Sequence, residues 1–375
     1  MRGVIRSDQI GSLVRPETLL DARDAFHAGR LTLEQLRAVE NDAIDQALRM
    51  QRDVGIGIFT DGEMRRDAWQ TNFSQAVEGF EADYPVREVR LTDGTAVKLE
   101  MHSKAVVGKL RATRRLTGVD AEFMKTHSPG PFKITMPGPT TVGRGGWREG
   151  TTNAAYGSLR ELYADCASII RDEMLALVAD GASYIQLDEA FTNLARESAV
   201  QGMRDHGEDP ETTLADQIEF ENVCYDAVRG QGVTLGAHLC RGSRSSAPKP
   251  ALIDPNRQGR DFDWLAERLF DQLHADRFLF EWDTGFQALR FLPPGKVAVL
   301  GIVTSLYPEL EPRDQLLRCV EAASKYCAVD QLALSTQCGF QGSGTRDGAH
   351  MSADQQRRKL ELVVDAAHQI WPTSS

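Results

Sequence analysis

Apolar runs of strand length alternate with amphipathic helical patterns along most of this chain. The apolar runs lie at residues 4–12, 55–63, 132–141, 183–191, 232–240, 277–283, 296–304 and 331–340. The helical patterns lie at residues 32–54, 162–181, 312–326 and 352–371, and the first places Leu33, Leu36, Ile44 and Leu48 near one face. Because eight strand patterns alternate with helices, we predict an α/β fold, a single (β/α)8 barrel of the TIM type over residues 1–375.

One long segment interrupts this alternation. Residues 74–130 separate the second and third strand patterns, and 87–110 alternates in polarity around Asp93-Gly94. An Asp-Gly pair between alternating segments is a hairpin signal. We therefore predict a β-hairpin insertion between strands 2 and 3, either a flap over a site or an addition without a role in the site.

Composition narrows the class of protein. The chain of 375 residues is 41% hydrophobic and has a formal net charge of −11, which argues against a general nucleic-acid binder. Its six cysteines are widely spread, as expected of reduced thiols in a cytoplasmic protein. The sequence shows neither an apolar signal core nor a run of roughly 20 apolar residues, so we expect no membrane partner.

Polar residues collect where the predicted strands end. They are Gly11-Ser12, Asp61-Gly62-Glu63, Asp188-Glu189, His238, Cys240, Glu281, Asp283 and Gln337-Cys338. Active sites of (β/α)8 barrels lie at the carboxyl ends of the strands. Because burying such groups without partners is costly, this pattern indicates a functional site for small molecules.

Four of these residues have the chemistry of a zinc site. His238 and Cys240 point to the same side of a strand, since residues i and i+2 share a face. Together with Glu281 and Cys338 they offer nitrogen, sulfur and oxygen, which zinc accepts in a tetrahedral arrangement. The alternative is two buried apolar thiols and a hydrogen-bonded histidine, but four such residues at matching strand ends favour Zn²⁺.

Seven motifs occur in order along the chain. They read "QIGSLVRP", "TDGEMRRDAWQTNF", "KITMPGPTTV", "YIQLDEA", "HLCRGSR", "FEWD" and "LSTQCGFQG". These motifs resemble the catalytic barrel of cobalamin-independent methionine synthase, especially its short, single-barrel bacterial members. The resemblance runs from Ile5 to Trp371, and its "HLC" and "QCG" motifs are specific.

The resemblance implies a zinc-dependent methyltransferase. His238, Cys240, Glu281 and Cys338 would bind zinc, which would ionise the thiol of homocysteine. The thiolate would then attack the methyl group of 5-methyltetrahydrofolate and give methionine.

The resemblance also implies how the amino acid and the methyl donor bind. Ile10, Gly11 and Ser12 would clamp the amino-acid carboxylate, while Glu63 and Asp188 would hold its ammonium group. The alternatives are an ordinary turn at residues 10–12 and an ion pair of Glu63 with Arg65 or Arg66. Candidates for contact with the donor are Trp147, Arg65 and Glu189, although Trp147 is equally suited to covering the edge of the core.

One position departs from the family pattern. Members generally carry a histidine or lysine in the loop after strand 7, where it handles the proton of the departing folate nitrogen, but here the place is taken by Leu306. Leucine cannot donate a proton, so the catalytic acid is unassigned, with Ser305, Tyr307 and His127 as candidates.

This departure keeps a second function open, a related zinc-dependent thiol alkyltransferase with another donor or thiol. Epoxyalkane:coenzyme M transferase is an example in the same family. Glu63 and Asp188 favour an amino-acid thiol over coenzyme M, which has no amino group. A metal-binding barrel without turnover is a third and weaker interpretation.

Overall fold

The computed structural model describes most of the 375-residue chain. The described residues are 5–83, 86–90, 96–100, 103–189, 191, 194, 197–205, 207–239, 263–281, 286–344 and 349–372. The described strands are β1 Val77–Asp83, β2 Val86–Arg90, β3 Ala96–Glu100, β4 Ser103–Ala112, β5 Lys133–Pro137, β6 Tyr184–Glu189, β7 Thr234–Leu239, β8 Arg277–Glu281, β9 Val297–Val303 and β10 Leu332–Thr336.

A six-stranded parallel sheet forms the centre of this mixed α/β fold. Its strand order is β10-β9-β8-β7-β6-β5, with every neighbouring pair parallel. These strands correspond to six of the eight predicted apolar runs. Because parallel neighbours end at the same edge of a sheet, the polar residues that close these runs are brought to one side.

The first two predicted strands are reduced to single bridges in the structure. Ser7 forms a parallel bridge to Leu334 of β10, and Phe59 forms one to Phe132 just before β5. The Gly57 N–H also donates to the Ser7 carbonyl at 3.2 Å. The segments around Ser7 and Phe59 therefore extend the two edges of the sheet through single bridges and meet each other.

Two antiparallel pairs occupy the long segment between Phe59 and β5. β1 pairs with β4, and β2 pairs with β3. The predicted turn residues Asp93-Gly94 lie outside the described residues. The β1–β4 pair is fastened to residues 152–156, which lie between β5 and β6 in the chain, because Tyr156 Oη accepts the Leu110 N–H at 2.7 Å and Thr152 Oγ1 donates to the Val106 carbonyl at 2.8 Å.

Helices pack around the parallel sheet. The described α-helices are α1 Glu17–His27, α2 Leu33–Val54, α3 Thr71–Ala76, α4 Gly118–His127, α5 Pro139–Gly146, α6 Leu159–Asp180, α7 Glu197–Asp205, α8 Pro210–Val228, α9 Asp263–Gln272, α10 Arg313–Ala323 and α11 Ala353–Ile370. None of these described helices is long and apolar enough to cross a membrane.

Local signals in the sequence set the ends of α2. Thr32 and Gln35 form a reciprocal capping box at its start, and Gly55 ends it in the left-handed conformation with φ 81°. Leu36, Ile44 and Leu48 are buried as predicted, whereas Leu33 is 54% exposed. Leu33 departs from the prediction because it is the first residue of the helix, before the apolar face meets the core.

One face of the parallel sheet carries a small apolar core of its own. Ile10, Ile58, Tyr184, Leu279, Val299 and Ala333 form a buried cluster separate from the main core. Its members come from both edge segments and from β6, β8, β9 and β10. This layer supports the polar residues at the strand ends, as inward-facing layers do in barrels.

Candidate metal and substrate site

Three of the four predicted metal ligands converge at the carboxyl ends of the strands. His238 lies near the end of β7, Glu281 is the last residue of β8, and Cys338 follows β10. The possible ligand atoms of these three residues all lie within 4.8 Å of one another. The fourth predicted ligand, Cys240, lies outside the described residues, as does Asp283.

The spacing of these atoms fits a zinc ion. His238 Nε2 lies 3.8 Å from Cys338 Sγ. Two ligands at tetrahedral zinc, with Zn–N about 2.0 Å and Zn–S about 2.3 Å, lie roughly 3.6 Å apart. A nitrogen, a sulfur and a carboxylate oxygen are also the donor types that zinc prefers. The described residues therefore fit three corners of a tetrahedral site.

The ring of His238 is already oriented for coordination. Its Nδ1 lies 3.3 Å from the carbonyl oxygen of Leu279 on β8. Because a carbonyl only accepts, this contact places a proton on Nδ1 and makes Nε2, the atom that faces Cys338, the one that would bind a metal. Metal-binding histidines are commonly fixed by such a contact from the second ring nitrogen.

Asp188 lies beside this cluster, at the end of β6. Its Cα is paired with that of His238 in the sheet register. Burial raises the pKa of Asp188 to about 7, a rise that the charge of His238 opposes and that of Glu63 reinforces. A cation bound here would relieve the cost of burying two carboxylates close together.

Glu63 is the other predicted contact for an ammonium group. Its Oε1 accepts a hydrogen bond from Thr135 Oγ1 at 2.8 Å and lies 3.2 Å from Arg66 Nη1. The anticipated ion pair therefore forms with Arg66. The other oxygen, Oε2, is buried and has no hydrogen-bond partner in the described part of the chain. One carboxylate oxygen is thus fixed and the second is available to a ligand.

The backbone at Glu63 is held in an uncommon conformation. Its φ is 57°, in the left-handed region that costs energy for residues other than glycine. The Asp61 carboxylate accepts the Glu63 N–H at 3.1 Å, and Arg15 Nη2 donates to the Glu63 carbonyl at 3.0 Å. These contacts hold the strained residue with its carboxylate directed inward.

The predicted clamp at residues 10–12 contacts both Glu63 and the loop that carries Cys338. A Cβ atom on Gly11 would lie 2.8 Å from Glu63 Oε1, so only glycine fits there. A Cβ on Gly339 would lie 2.0 Å from Ser12 Oγ, and the Phe340 N–H donates to the Ser12 carbonyl at 2.8 Å. The loop that carries Cys338 therefore packs directly on the clamp.

Glu189 is not brought together with these residues. It is adjacent to Asp188 on β6 and so points to the opposite face of the sheet. There it meets Glu221 of α8, and a Cβ on Gly138 would lie 2.2 Å from Glu189 Oε2. Burial and the nearby Glu221 carboxylate raise the pKa of Glu189 well above its usual range. Its surroundings are those of a buried structural carboxyl group.

The other two predicted donor contacts also face elsewhere. Arg65 is nearly buried between helices, with Nη1 3.0 Å from Asp120 Oδ1 and Nη2 2.6 Å from Asn41 Oδ1. The Trp147 indole packs partly buried against the main core and donates to Glu149 Oε2 at 3.3 Å. The packing against the core agrees with the alternative interpretation of Trp147.

Leu306 lies in a well-anchored loop directly after β9. Its N–H donates to Thr304 Oγ1 at 3.2 Å, and the Thr304 N–H donates to Glu311 Oε1 at 2.7 Å. Ser305 and Tyr307 flank it and stay candidates for the missing acid. His127 lies 2.9 Å from Asp45 at the end of α4, where β5 begins, so it is at the opposite end of the sheet.

Sequence reasoning missed several residues that build the site. Gln186 contacts both Ile10 and Asp188, Lys133 contacts Gln186, and Thr135 contacts Glu63. Lys133, Thr135 and Gln186 share one signal, a polar residue inside a strand pattern that is otherwise apolar. Such residues face inward and must find partners there.

Comparisons with known proteins agree over nearly the whole chain. Residues 6–247 match the family model described as cobalamin-independent synthase, catalytic domain. The uncharacterized protein YxjH of Bacillus subtilis is 32% identical over 98% of this chain and 94% of its own length. A methionine synthase of Saccharolobus islandicus is 30% identical over 88% of this chain and 86% of its own length.

Solved structures show the same fold. A B12-independent methionine synthase from Shewanella sp. W3-18-1, in complex with selenomethionine, has a TM-score of 0.73 at 21% identity and covers 98% of both chains. A putative vitamin-B12-independent methionine synthase from Listeria monocytogenes has a TM-score of 0.72 at 25% identity, again over 98% of both chains.

Proposed function

Because the chain belongs to the cobalamin-independent methionine synthase family, we propose that it is a zinc-dependent methyltransferase acting on a thiol, with homocysteine as the preferred acceptor. The methyl donor would be 5-methyltetrahydrofolate or a related molecule, and the product methionine. The observation that carries this proposal is the meeting of His238, Glu281 and Cys338 beside Asp188.

His238, Glu281 and Cys338 would hold the zinc, with Cys240 as the fourth ligand. When bound, zinc lowers the pKa of a coordinated thiol and so supplies a nucleophile at neutral pH. We further propose that the segments around Ser7 and Phe59 stand as the first two strands of a closed eight-stranded barrel. The bridges of Ser7 and Phe59 and their contact through Gly57 support this closure.

The surrounding carboxylates favour an amino-acid thiol. Glu63 Oε2 is buried without a partner, and Asp188 is buried at the end of the neighbouring strand β6. An ammonium group between them would gain charge-assisted hydrogen bonds, which are stronger than neutral ones. A thiol with a sulfonate and no amino group would instead meet two carboxylates of its own sign.

Leu306 favours a second candidate, a thiol alkyltransferase with another donor. A reduced folate leaves through a nitrogen that must be protonated, and the side chain of Leu306 cannot supply that proton. A positioned acid contributes about 10²–10⁴-fold to such a step. An alkyl donor that needs no acid would react at this site without the missing group.

Zinc content and product identity test the proposal together. We expect about one zinc per wild-type chain, and loss of most of it in Cys338→Ser. Cys327→Ser is the matched control, since Cys327 is a partly buried cysteine in the loop before β10. Full zinc occupancy in Cys338→Ser would contradict the ligand assignment.

The product assay offers homocysteine with a panel of methyl donors and epoxides. Methionine formed from homocysteine supports the methyltransferase, and its rate with each donor identifies the one used. An alkylated thiol formed only from epoxides would favour the second candidate. Absence of any alkylated homocysteine would refute the acceptor.

A further inference from the structure

Gln186 makes three hydrogen bonds at the centre of the candidate site. It lies on β6, two residues before Asp188, and is fully buried. Its Nε2 donates to the Ile10 carbonyl at 2.9 Å and to Asp188 Oδ1 at 2.8 Å. Its Oε1 accepts from Lys133 Nζ at 2.8 Å. All of its hydrogen-bonding directions except one acceptor lone pair are therefore used.

Lys133 fixes which way this amide faces. An ammonium group only donates, so the oxygen of Gln186 must face Lys133 and the NH₂ group must face Ile10 and Asp188. Lys133 is itself fully buried, and its Nζ also contacts Asp8 Oδ1 at 2.8 Å and the Gln9 carbonyl. With three acceptors around three donors, the ammonium group has no alternative arrangement.

The two acceptors of Gln186 come from distant parts of the chain. Ile10 belongs to the segment proposed to clamp the substrate carboxylate, and Asp188 is proposed to hold the substrate ammonium group. Gln186 occupies Asp188 Oδ1 and so leaves Oδ2 for a ligand. One side chain therefore sets the distance between the groups that would recognise the two ends of an amino acid.

We propose that Gln186, oriented by Lys133, is a positioning residue for the amino-acid end of the substrate. This inference rests on the proposed function. Gln186 fixes Asp188 and Ile10 and does not itself touch the reacting atoms. Its loss should weaken the recognition of an amino-acid thiol and leave metal binding and the reactivity of a simple thiol unchanged.

Gln186→Glu separates positioning from support of Lys133. A carboxylate at this position still accepts from Lys133, but it cannot donate to Ile10 or Asp188. Gln186→Met is the second variant, which removes the same donated bonds without adding a buried charge. Gln217→Met is the matched control for the Met variant, because Gln217 is a buried glutamine of α8 and this change adds no buried charge.

The measurements are zinc content, melting temperature, and kcat and KM with two thiols, homocysteine and 1-propanethiol. For both Gln186 variants we expect a rise of roughly 10- to 100-fold in the KM for homocysteine, the size of a lost hydrogen bond to a charged group. We expect the kcat for homocysteine to change much less. Zinc content and the constants for 1-propanethiol should match wild type.

Other outcomes are equally informative. An unchanged KM for homocysteine, or equal losses with both thiols, would overturn the positioning role. If the Glu variant does not fold, the Met variant decides between these outcomes. If the wild-type protein has the same kcat/KM for 1-propanethiol as for homocysteine, the proposed amino-acid acceptor fails, a result distinct from any behaviour of the variants.

Discussion

The buried pair of Glu189 and Glu221 predicts an unusual dependence of stability on pH. Both carboxyl groups are fully buried between β6 and α8. Thr140 donates its N–H and hydroxyl to Glu221 Oε1, at 3.1 and 2.6 Å. Burial nonetheless raises the pKa of Glu221 from 4.5 to about 7 and that of Glu189 well above its usual range, so the pair gives up its first proton near neutral pH inside the folded protein.

The direction of the effect follows from proton binding. The unfolded chain releases the Glu221 proton near pH 4.5, whereas the folded chain keeps it until about pH 7. Folding is therefore favoured by this group at low pH, and that contribution is lost as the pH rises through the folded pKa. At about 1.4 kcal/mol per pKa unit, the shift corresponds to roughly 3 kcal/mol.

Glu221→Gln should remove the loss of stability that accompanies the rise in pH. The glutamine oxygen can still accept both hydrogen bonds from Thr140, and its amide carries no charge to be buried. We expect the variant and wild type to be similar in free energy of unfolding near pH 5. The variant should be more stable by roughly 2–3 kcal/mol near pH 8.

Urea titrations at these two pH values, on zinc-loaded protein, measure this difference. Glu219→Gln is the control on the same helix, since Glu219 is exposed and pairs with Arg160 at 2.8 Å. Its effect should be small and nearly the same at both pH values. A constant difference between Glu221→Gln and wild type, or a more stable wild type near pH 8, would refute the assignment of Glu221 as the titrating group.

Two further predictions concern the reaction. Asp188→Asn should weaken homocysteine binding by roughly 10- to 100-fold while zinc stays bound, because a charge-assisted contact is lost; calorimetry showing unchanged affinity would point to a thiol without an amino group. Leu306→His should raise the rate of single-turnover methyl transfer from 5-methyltetrahydrofolate. An imidazole that reaches the leaving nitrogen should raise this rate by about 10²-fold or more. Fast transfer in the wild-type protein would show instead that another group supplies the proton.

The sequence predicted the elements whose signals are local or repeated. Six apolar runs became the parallel sheet, and capping residues such as Thr32 marked the start of α2. The runs at 4–12 and 55–63 join the neighbouring strands through single bridges, at Ser7 and Phe59. Between these two runs the contact is made by a side chain, since Gln9 Nε2 donates to Gln51 Oε1 at 2.6 Å and to the Ile58 carbonyl at 3.1 Å.

The candidate site was predictable where chemistry alone identifies a residue. A histidine, a carboxylate and a cysteine at strand ends pointed to the metal, and the structure brings His238, Glu281 and Cys338 together. Glu189 points away from the site because side chains alternate between the two faces of a strand, so only one of two adjacent residues on β6 can point inward. The partners of Asp188 could not be predicted, because Gln186 and Lys133 come into contact only when β5 and β6 lie side by side.

The contacts between loops explain why short, distant motifs act as one site. Cys338 lies in a loop whose next residues, Gly339 and Phe340, pack against and hydrogen-bond to Ser12. Two residues before Ser12, the Ile10 carbonyl is tied through Gln186 to Asp188. A ligand that fixes Cys338 therefore also restrains the segment proposed to clamp the amino acid. Since restraint before binding lowers the entropic cost of binding, a metal held by Cys338 would strengthen recognition of the amino-acid end without touching it.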